Sequence, residues 1–430
     1  MLSVWLNDTP LPRFEALNEN TTTDVLIIGG GIAGILTAYR LHQKGVNYLL
    51  VEKDRICRET TGNTTAKITF QHGLIYHRIA QAYDIENAQK YLEATQAAFE
   101  EYARICSDIA CNYEIKDNYV YALTDRGKLE KEMKVLQKIG FNAEWSETVS
   151  LPFKTVGAVK FKNQAQFHPL AFINSICQGL NICENTHIIE VTGHTAKTEK
   201  YTIKAGKIIV ATHFPFINRH GFYPLKLYQH RSYVLALENA VSLNGMYVDE
   251  SDTGLSFRNY KNLLLLGGGG HRTGKRGGNW NELRQFALKH YPAAKEGFHW
   301  AAQDCMSLDG LPYIGRYSAS TPDLYVAGGF NKWGMTGAMT AAMLLCDMVL
   351  EKDNAFAEVF NPSRGIVKPQ LFINAGETAL SYLTPTARRC SHLGCALKWN
   401  SAEHSWDCAC HGSRFTEDGS VINNPANRNL

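Results

Sequence analysis

Short, unbroken apolar runs alternate with longer stretches of helical period along most of the chain. Residues 24–30 (DVLIIGG) are apolar and end in glycines, the pattern of a strand buried on both faces. Residues 32–44 carry the helical period and stop at Gly45, and residues 47–52 (NYLLVE) are apolar again. Together they predict two parallel strands joined by a helix. Residues 73–150 are predicted mostly helical, with a hairpin around 113–123. A helix is expected over 168–180, a buried strand at 207–212 (KIIVAT), and an antiparallel sheet from 231–239, 255–259 and 262–267. A further helix is expected over 279–291, then a strand at 324–327 and a helix through Leu350. Strands this far apart must share a sheet, so the second domain is expected to be interleaved with the first. Residues 353–375 read as a linker. The chain beyond them loses the long apolar period and becomes turn-rich, as a small all-β lobe does.

A chain of 430 residues exceeds one ordinary core, so two or more domains are expected. Hydrophobic residues at 45% and charged residues at 20% are normal for a globular protein. The net charge of +3, with no basic cluster, argues against a nucleic-acid partner. No apolar run reaches the roughly eighteen residues of a membrane span. The first residues include Asp8, Glu15 and Glu19 and lack the apolar core of a signal peptide, so a cytoplasmic location is expected. Of eleven cysteines, Cys390, Cys395, Cys408 and Cys410 cluster near the C-terminus, which points to a metal centre. The scattered remainder are expected as buried free thiols.

Gly29, Gly31 and Gly34 form G-x-G-x-x-G between the first strand and its helix. The first allows a tight turn, the second lets backbone reach a pyrophosphate, and the third permits close helix–strand packing. The helix start offers free N–H groups and a positive dipole end to phosphate. Glu52, at the end of the second strand, is placed to accept ribose hydroxyls. A second glycine-rich stretch, 267–274 (GGGGHRTG), opens no long helix and is read as a turn near the cofactor.

Four segments extend this motif: TDVLIIGGGIAG…VEK, TGNTTAKIT (61–69), KIIVATHFP (207–215) and LDGLPYIG…LYVAGGFNKWGMTGA (308–338). With them the chain resembles the glycine oxidase/D-amino-acid oxidase-like family over roughly residues 1–352. The resemblance implies FAD and an α/β fold: a Rossmann-like FAD-binding domain (about 20–80, 150–230 and 300–352) interleaved with an antiparallel-sheet substrate domain (about 81–149 and 231–299). It implies cofactor contacts by Lys53, Gly62, Thr64, Thr65, Ile188, Ala211, Gly328, Gly329, Lys332, Gly334, Met335 and Thr336, besides the glycines and Glu52 above. A helix opened by Met335 and Thr336 would aim its dipole at the flavin pyrimidine and stabilise negative charge there. Lys332, Arg258 and His271 are the catalytic candidates, and Arg231, Tyr233, Tyr260 and Arg272 are further candidate substrate contacts. Family members often carry an arginine for a substrate carboxylate where this chain has Asp304.

The C-terminal ligands follow C-x-H, fifteen residues, then C-x-x-H: Cys390, His392, Cys408 and His411. Two thiolates can hold one iron of a [2Fe–2S] cluster and two imidazoles the other. A Cys2His2 zinc site uses the same donors, and short-range spacing alone does not exclude it. HLGC, WDCACHGS and Pro425-Ala426 resemble the Rieske family, which implies the cluster and, by the resemblance, a disulfide between Cys395 and Cys410. Phe415 stands where high-potential members have a tyrosine, which implies a lowered potential. The lobe (376–430) is much shortened and is expected to lean on the rest of the chain and on its metal.

A flavin that takes electrons in pairs and a cluster that passes them singly make a two-to-one electron splitter. The expected reaction is oxidation of a small amine or amino acid, with electrons leaving through the cluster to an external acceptor. A cluster-fed flavin reductase, and a sensing or bracing lobe without turnover, are the alternatives.

Overall fold

The computed structural model describes residues 2–251, 254–386 and 388–430. Two large sheets and one small one carry the fold. The first runs, in spatial order, Tyr313–Arg316, Leu324–Gly328, Thr202–Val210, Thr21–Ile28, Tyr48–Val51 and Ile182–Cys183, with Glu190–Thr192 and Thr195–Lys197 attached at one side. Its four pairings from Leu324–Gly328 to Ile182–Cys183 are parallel, while the Tyr313–Arg316 edge and the attached Glu190–Thr192 and Thr195–Lys197 pair antiparallel. Both faces of these strands are buried, which explains their unbroken apolar runs: Val25, Ile27 and Leu50 pack toward helices, while Leu26, Ile28 and Leu49 pack among Ile188, Ala196 and Phe214. The helices Ile32–Gln43 and Gly334–Val349 pack against each other over this sheet.

The second sheet runs Lys295–Ser307, Leu227–Glu238, Leu263–Arg272, Ser256–Tyr260, Gly245–Asp249, Glu114–Ala122, Gly157–Gln166 and Lys67–Ile68, with Glu144–Ser146 added beside Gly157–Gln166. Two expectations change here. The 113–123 segment is no hairpin: Glu114–Ala122 is one strand held between Gly157–Gln166 and Gly245–Asp249. The glycine-rich stretch 267–274 is not a turn, because Leu263–Arg272 continues as one strand through the glycines and pairs with Leu227–Glu238 up to Arg272. Glycines leave room there: a Cβ on Gly267 would lie 2.6 Å from Ser256 Oγ.

Within the stretch expected to be a linker, Pro369 opens a helix that runs to Leu383. It braces the C-terminal lobe: Asn374 Oδ1 accepts from Arg272 Nη1 (2.8 Å), and Ser381 Oγ accepts from Ala396 N (2.9 Å). The lobe itself is four antiparallel strands, Leu397–Asn400, Ser405–Cys408, Arg414–Phe415 and Val421–Asn423. Its core is Cys390, Cys395, Leu397, Cys408, Cys410, Phe415 and Ala426. Four of these are cysteines, so little ordinary apolar packing holds the lobe together. Among the described residues no helix is long and apolar enough to cross a membrane.

Candidate functional site

A cavity of about 920 Å³ lies between the two large sheets and the lobe. The turn after Thr21–Ile28 forms one end. Gly29 has φ +113°, and a Cβ there would meet Ala211 O at 2.6 Å. A Cβ on Gly34 would lie 1.9 Å from Gly29 O, so the helix approaches the strand only with glycine at that position. Gly34 therefore shapes the cradle from outside the cavity, while Gly29 and Gly31 line it. Glu52 also lines it, with Oε2 accepting from Gly30 N (2.7 Å) and Oε1 from Asp54 N (3.1 Å). Burial raises the Glu52 carboxyl above its ordinary value despite these bonds.

Lys53, Thr64, Thr65, Ile188 and Ala211 face the same cavity, as do Lys332, Gly334 and Met335. Lys332 sits at φ +72°, just before the N-terminus of Gly334–Val349. Gly62, Gly328, Gly329 and Thr336 stand outside the lining. Thr336 instead donates to Thr69 O (2.6 Å) and accepts from Thr69 N (3.3 Å), fastening this helix to the 61–69 loop.

Two of the three catalytic candidates lie elsewhere. Arg258 is 1% exposed and spends its guanidinium on backbone, donating to Thr65 O (2.9 Å), Ala66 O (2.5 Å) and Asn259 O (3.3 Å), above the Trp5 ring. Burial lowers its pKa to about 9. It ties the cofactor loop to the second sheet and is outside the cavity lining. His271 is also outside it: Nε2 meets Tyr233 OH at 3.0 Å and Nδ1 meets Arg272 O at 2.9 Å.

The face expected to hold substrate holds the lobe. Arg272 donates to Ala409 O (2.9 Å) and Cys410 O (3.2 Å). Arg231 pairs with Glu403, and Tyr233 OH donates to Glu403 Oε1 (3.1 Å). Tyr260 packs on Trp5 and reaches Asp8. Tyr233 alone of these also lines the cavity.

Lys67, unremarked within its motif, lines the cavity with Nζ 3.2 Å from Thr65 Oγ1. Burial, helped by Arg258, lowers it to about 7. Its signal in the sequence is a lone cation in an otherwise neutral loop. Asp304 lines the cavity too and accepts from Ser232 Oγ (2.9 Å).

In the lobe, Cys395 and Cys410 form a disulfide with Cα atoms 6.6 Å apart. The sulfurs of Cys395, Cys408 and Cys410 lie within 4.8 Å of one another, but the disulfide removes two of them as thiolate donors. Cys390 and Cys408 remain as buried thiols, and the neighbouring Cys408 lowers Cys390 to about 7. The rings of His392 and His411 are 4.9 Å apart, and the Nδ1 atoms of both are buried without a hydrogen-bond partner. Burial holds both imidazoles neutral, lowering them to about 4 and about 3. Two thiols and two neutral, unsatisfied imidazole nitrogens fit a Rieske-type [2Fe–2S] cluster. His392 Nε2 meets Asn218 Oδ1 at 3.1 Å, which leaves Nδ1 for metal.

Fold and sites together define a flavin-dependent oxidoreductase with a Rieske iron–sulfur lobe. The chain belongs to the FAD dependent oxidoreductase (DAO) family, whose model matches residues 24–348, and the Rieske [2Fe-2S] domain model matches residues 378–430. It is similar to a Bacillus subtilis (strain 168) protein described as a Rieske 2Fe-2S iron-sulfur protein, YhfW: 33% identity over 98% of this chain and 95% of that one. The lobe alone is 49% identical, over 41 residues, to the cytochrome b6-f complex iron-sulfur subunit of Synechococcus sp. (strain JA-3-3Ab), covering 10% of this chain and 24% of that subunit. Glycine oxidase from Geobacillus kaustophilus superposes with a TM-score of 0.66 at 19% identity, over 80% of this chain and 99% of its own, a likeness of fold.

Proposed function

We propose that the chain oxidises the C–N bond of a small amine or amino acid and sends the electrons through the cluster to an external acceptor. When bound, FAD takes up the two electrons of a hydride and a [2Fe–2S] cluster passes electrons one at a time. The observation that carries this reading is the segment 211–214. Ala211, Thr212 and His213 line the cavity, while the next residue, Phe214, is fully buried with its ring 6.4 Å from His392 and 6.1 Å from His411. One short piece of chain therefore touches both cofactor sites.

The protein's own groups bind, orient and move protons. An amine gives up hydride only as the free base, and Lys67, lowered to about 7, is the cavity's candidate to take the substrate ammonium proton. Lys332 and the N-terminus of Gly334–Val349 favour negative charge at the same end of the cavity. Asp304 at the family's arginine position suits a cationic group better than a carboxylate, which favours amines over simple amino acids.

The test is an anaerobic stopped-flow screen of secondary amines, amino acids and betaines. The expected result is flavin bleaching followed by the EPR signal of a reduced cluster. A cluster that stays oxidised while the flavin is bleached overturns the electron path.

A further inference from the structure

We infer that the last segment of the cluster lobe, residues 421–429, is part of the FAD site, so that FAD and the cluster bind cooperatively. Asn424, Ala426, Asn427 and Arg428 all line the cavity. They do so at the end where Glu52 and residues 186–188 stand, since Thr186 N donates to Glu52 O (2.8 Å). Asn427 closes on this end from the lobe. Its Oδ1 accepts from His187 Nε2 (2.7 Å) and its Nδ2 donates to Ile188 O (3.3 Å). Asn424 Nδ2 donates to Thr212 O and to Phe214 O (2.8 Å), and Asn423 donates to Glu59 Oε2. Glu59 in turn lies 3.7 Å from Lys53 Nζ.

The same strap is fastened to the cluster loops on its other side. Ala426 N donates to Ser413 Oγ (3.0 Å). Gln229 Nε2 donates both to His411 O (2.8 Å) and to Asn424 O (3.0 Å), joining a cluster ligand to the strap through one side chain. Ser391, beside His392, donates to Arg428 O (2.5 Å). The loops carrying His392 and His411 thus hold the strap, and the strap walls the nucleotide end of the cavity. The lobe has little core of its own, so metal that orders its loops also orders this wall. Coupling between two binding sites is reciprocal by thermodynamic necessity.

The test uses the full-length holoprotein. FAD release on dilution is followed by flavin fluorescence in the wild type, in wild type stripped of its cluster with an anaerobic chelator, and in Asn427→Ala. Cluster content is read separately from visible absorption and EPR. The expected results are FAD affinity lower by about tenfold in the stripped protein, and by about fivefold to tenfold in Asn427→Ala with its cluster retained. Should the variant fail to fold, the reciprocal measurement needs no mutation: saturating FAD should slow cluster loss to the chelator severalfold in the wild type. Equal FAD affinity with and without cluster, or cluster loss indifferent to FAD, overturns the inference.

Discussion

Arg231 Nε, on the second sheet, donates a 2.9 Å hydrogen bond to Glu403 Oε1 in the cluster lobe, and both side chains are almost wholly buried. Arg414 Nη2 reaches the other carboxylate oxygen at 2.9 Å. Removing one member of such a buried group leaves uncompensated charge and typically costs about 3–5 kcal/mol. Glu403→Gln should therefore loosen the lobe, seen as faster amide exchange in residues 397–415 and a lower melting temperature. An unchanged melting curve would contradict this role.

The same carboxylate predicts an acid limit. Burial works to raise its pKa, but Arg231 and then Arg414 outweigh it and hold the group below its ordinary value. Its contribution is fully present above the unfolded-chain value of about 4.3 and is lost as pH falls through the lower folded value. Lobe docking should weaken in that acid window in the wild type, and Glu403→Gln should flatten this part of the pH–stability curve.

Gly34→Ala should abolish flavin binding, because the new Cβ would lie 1.9 Å from Gly29 O, a backbone atom of the cofactor turn itself. Purification without yellow colour, with the cluster signal diminished, is the expected outcome. Normal flavin content would show that the helix can retreat.

Arg258→Met should act on stability rather than on substrate affinity, since it strips the Nη1 donor from the buried carbonyl of Ala66 and the part-buried one of Thr65. Each unpaired carbonyl costs about 1–3 kcal/mol. Substrate KM in the folded fraction, measured at alkaline pH where Lys67 is neutral in both proteins, should hold; a large rise there would return Arg258 to the substrate site.

Lys67→Met should remove an ionisation near pH 7 from the pH profile of flavin reduction, with the wild type faster on the alkaline side where the amine is neutral. A profile identical in the two proteins would assign the proton to another group.

The parts of this molecule that were legible beforehand are those whose physics is local. A glycine turn followed by a helix, or two loops each bearing one cysteine and one histidine, announces its chemistry within a dozen residues. What covers a strand face is not local. Arg231 and Arg272 sit at positions that read equally well as substrate contacts, and only the return of residues 403–410 onto that sheet decides their use. Arg258 misleads for the same reason: a buried guanidinium and a carboxylate-binding one look alike until their partners are known. The single strand at 114–122 read as a hairpin because its partner, Gly245–Asp249, arrives more than a hundred residues later.

A lobe whose interior is largely sulfur has a biosynthetic consequence. Among its seven buried core residues, Cys390 and Cys408 need iron and Cys395 and Cys410 are oxidised to each other, so the newly made polypeptide cannot finish this region by folding alone. When iron is scarce, cells should accumulate a tail-frayed, flavin-poor precursor that proteases trim after the helix Pro369–Leu383, making nutrient supply the gate on how much complete enzyme exists.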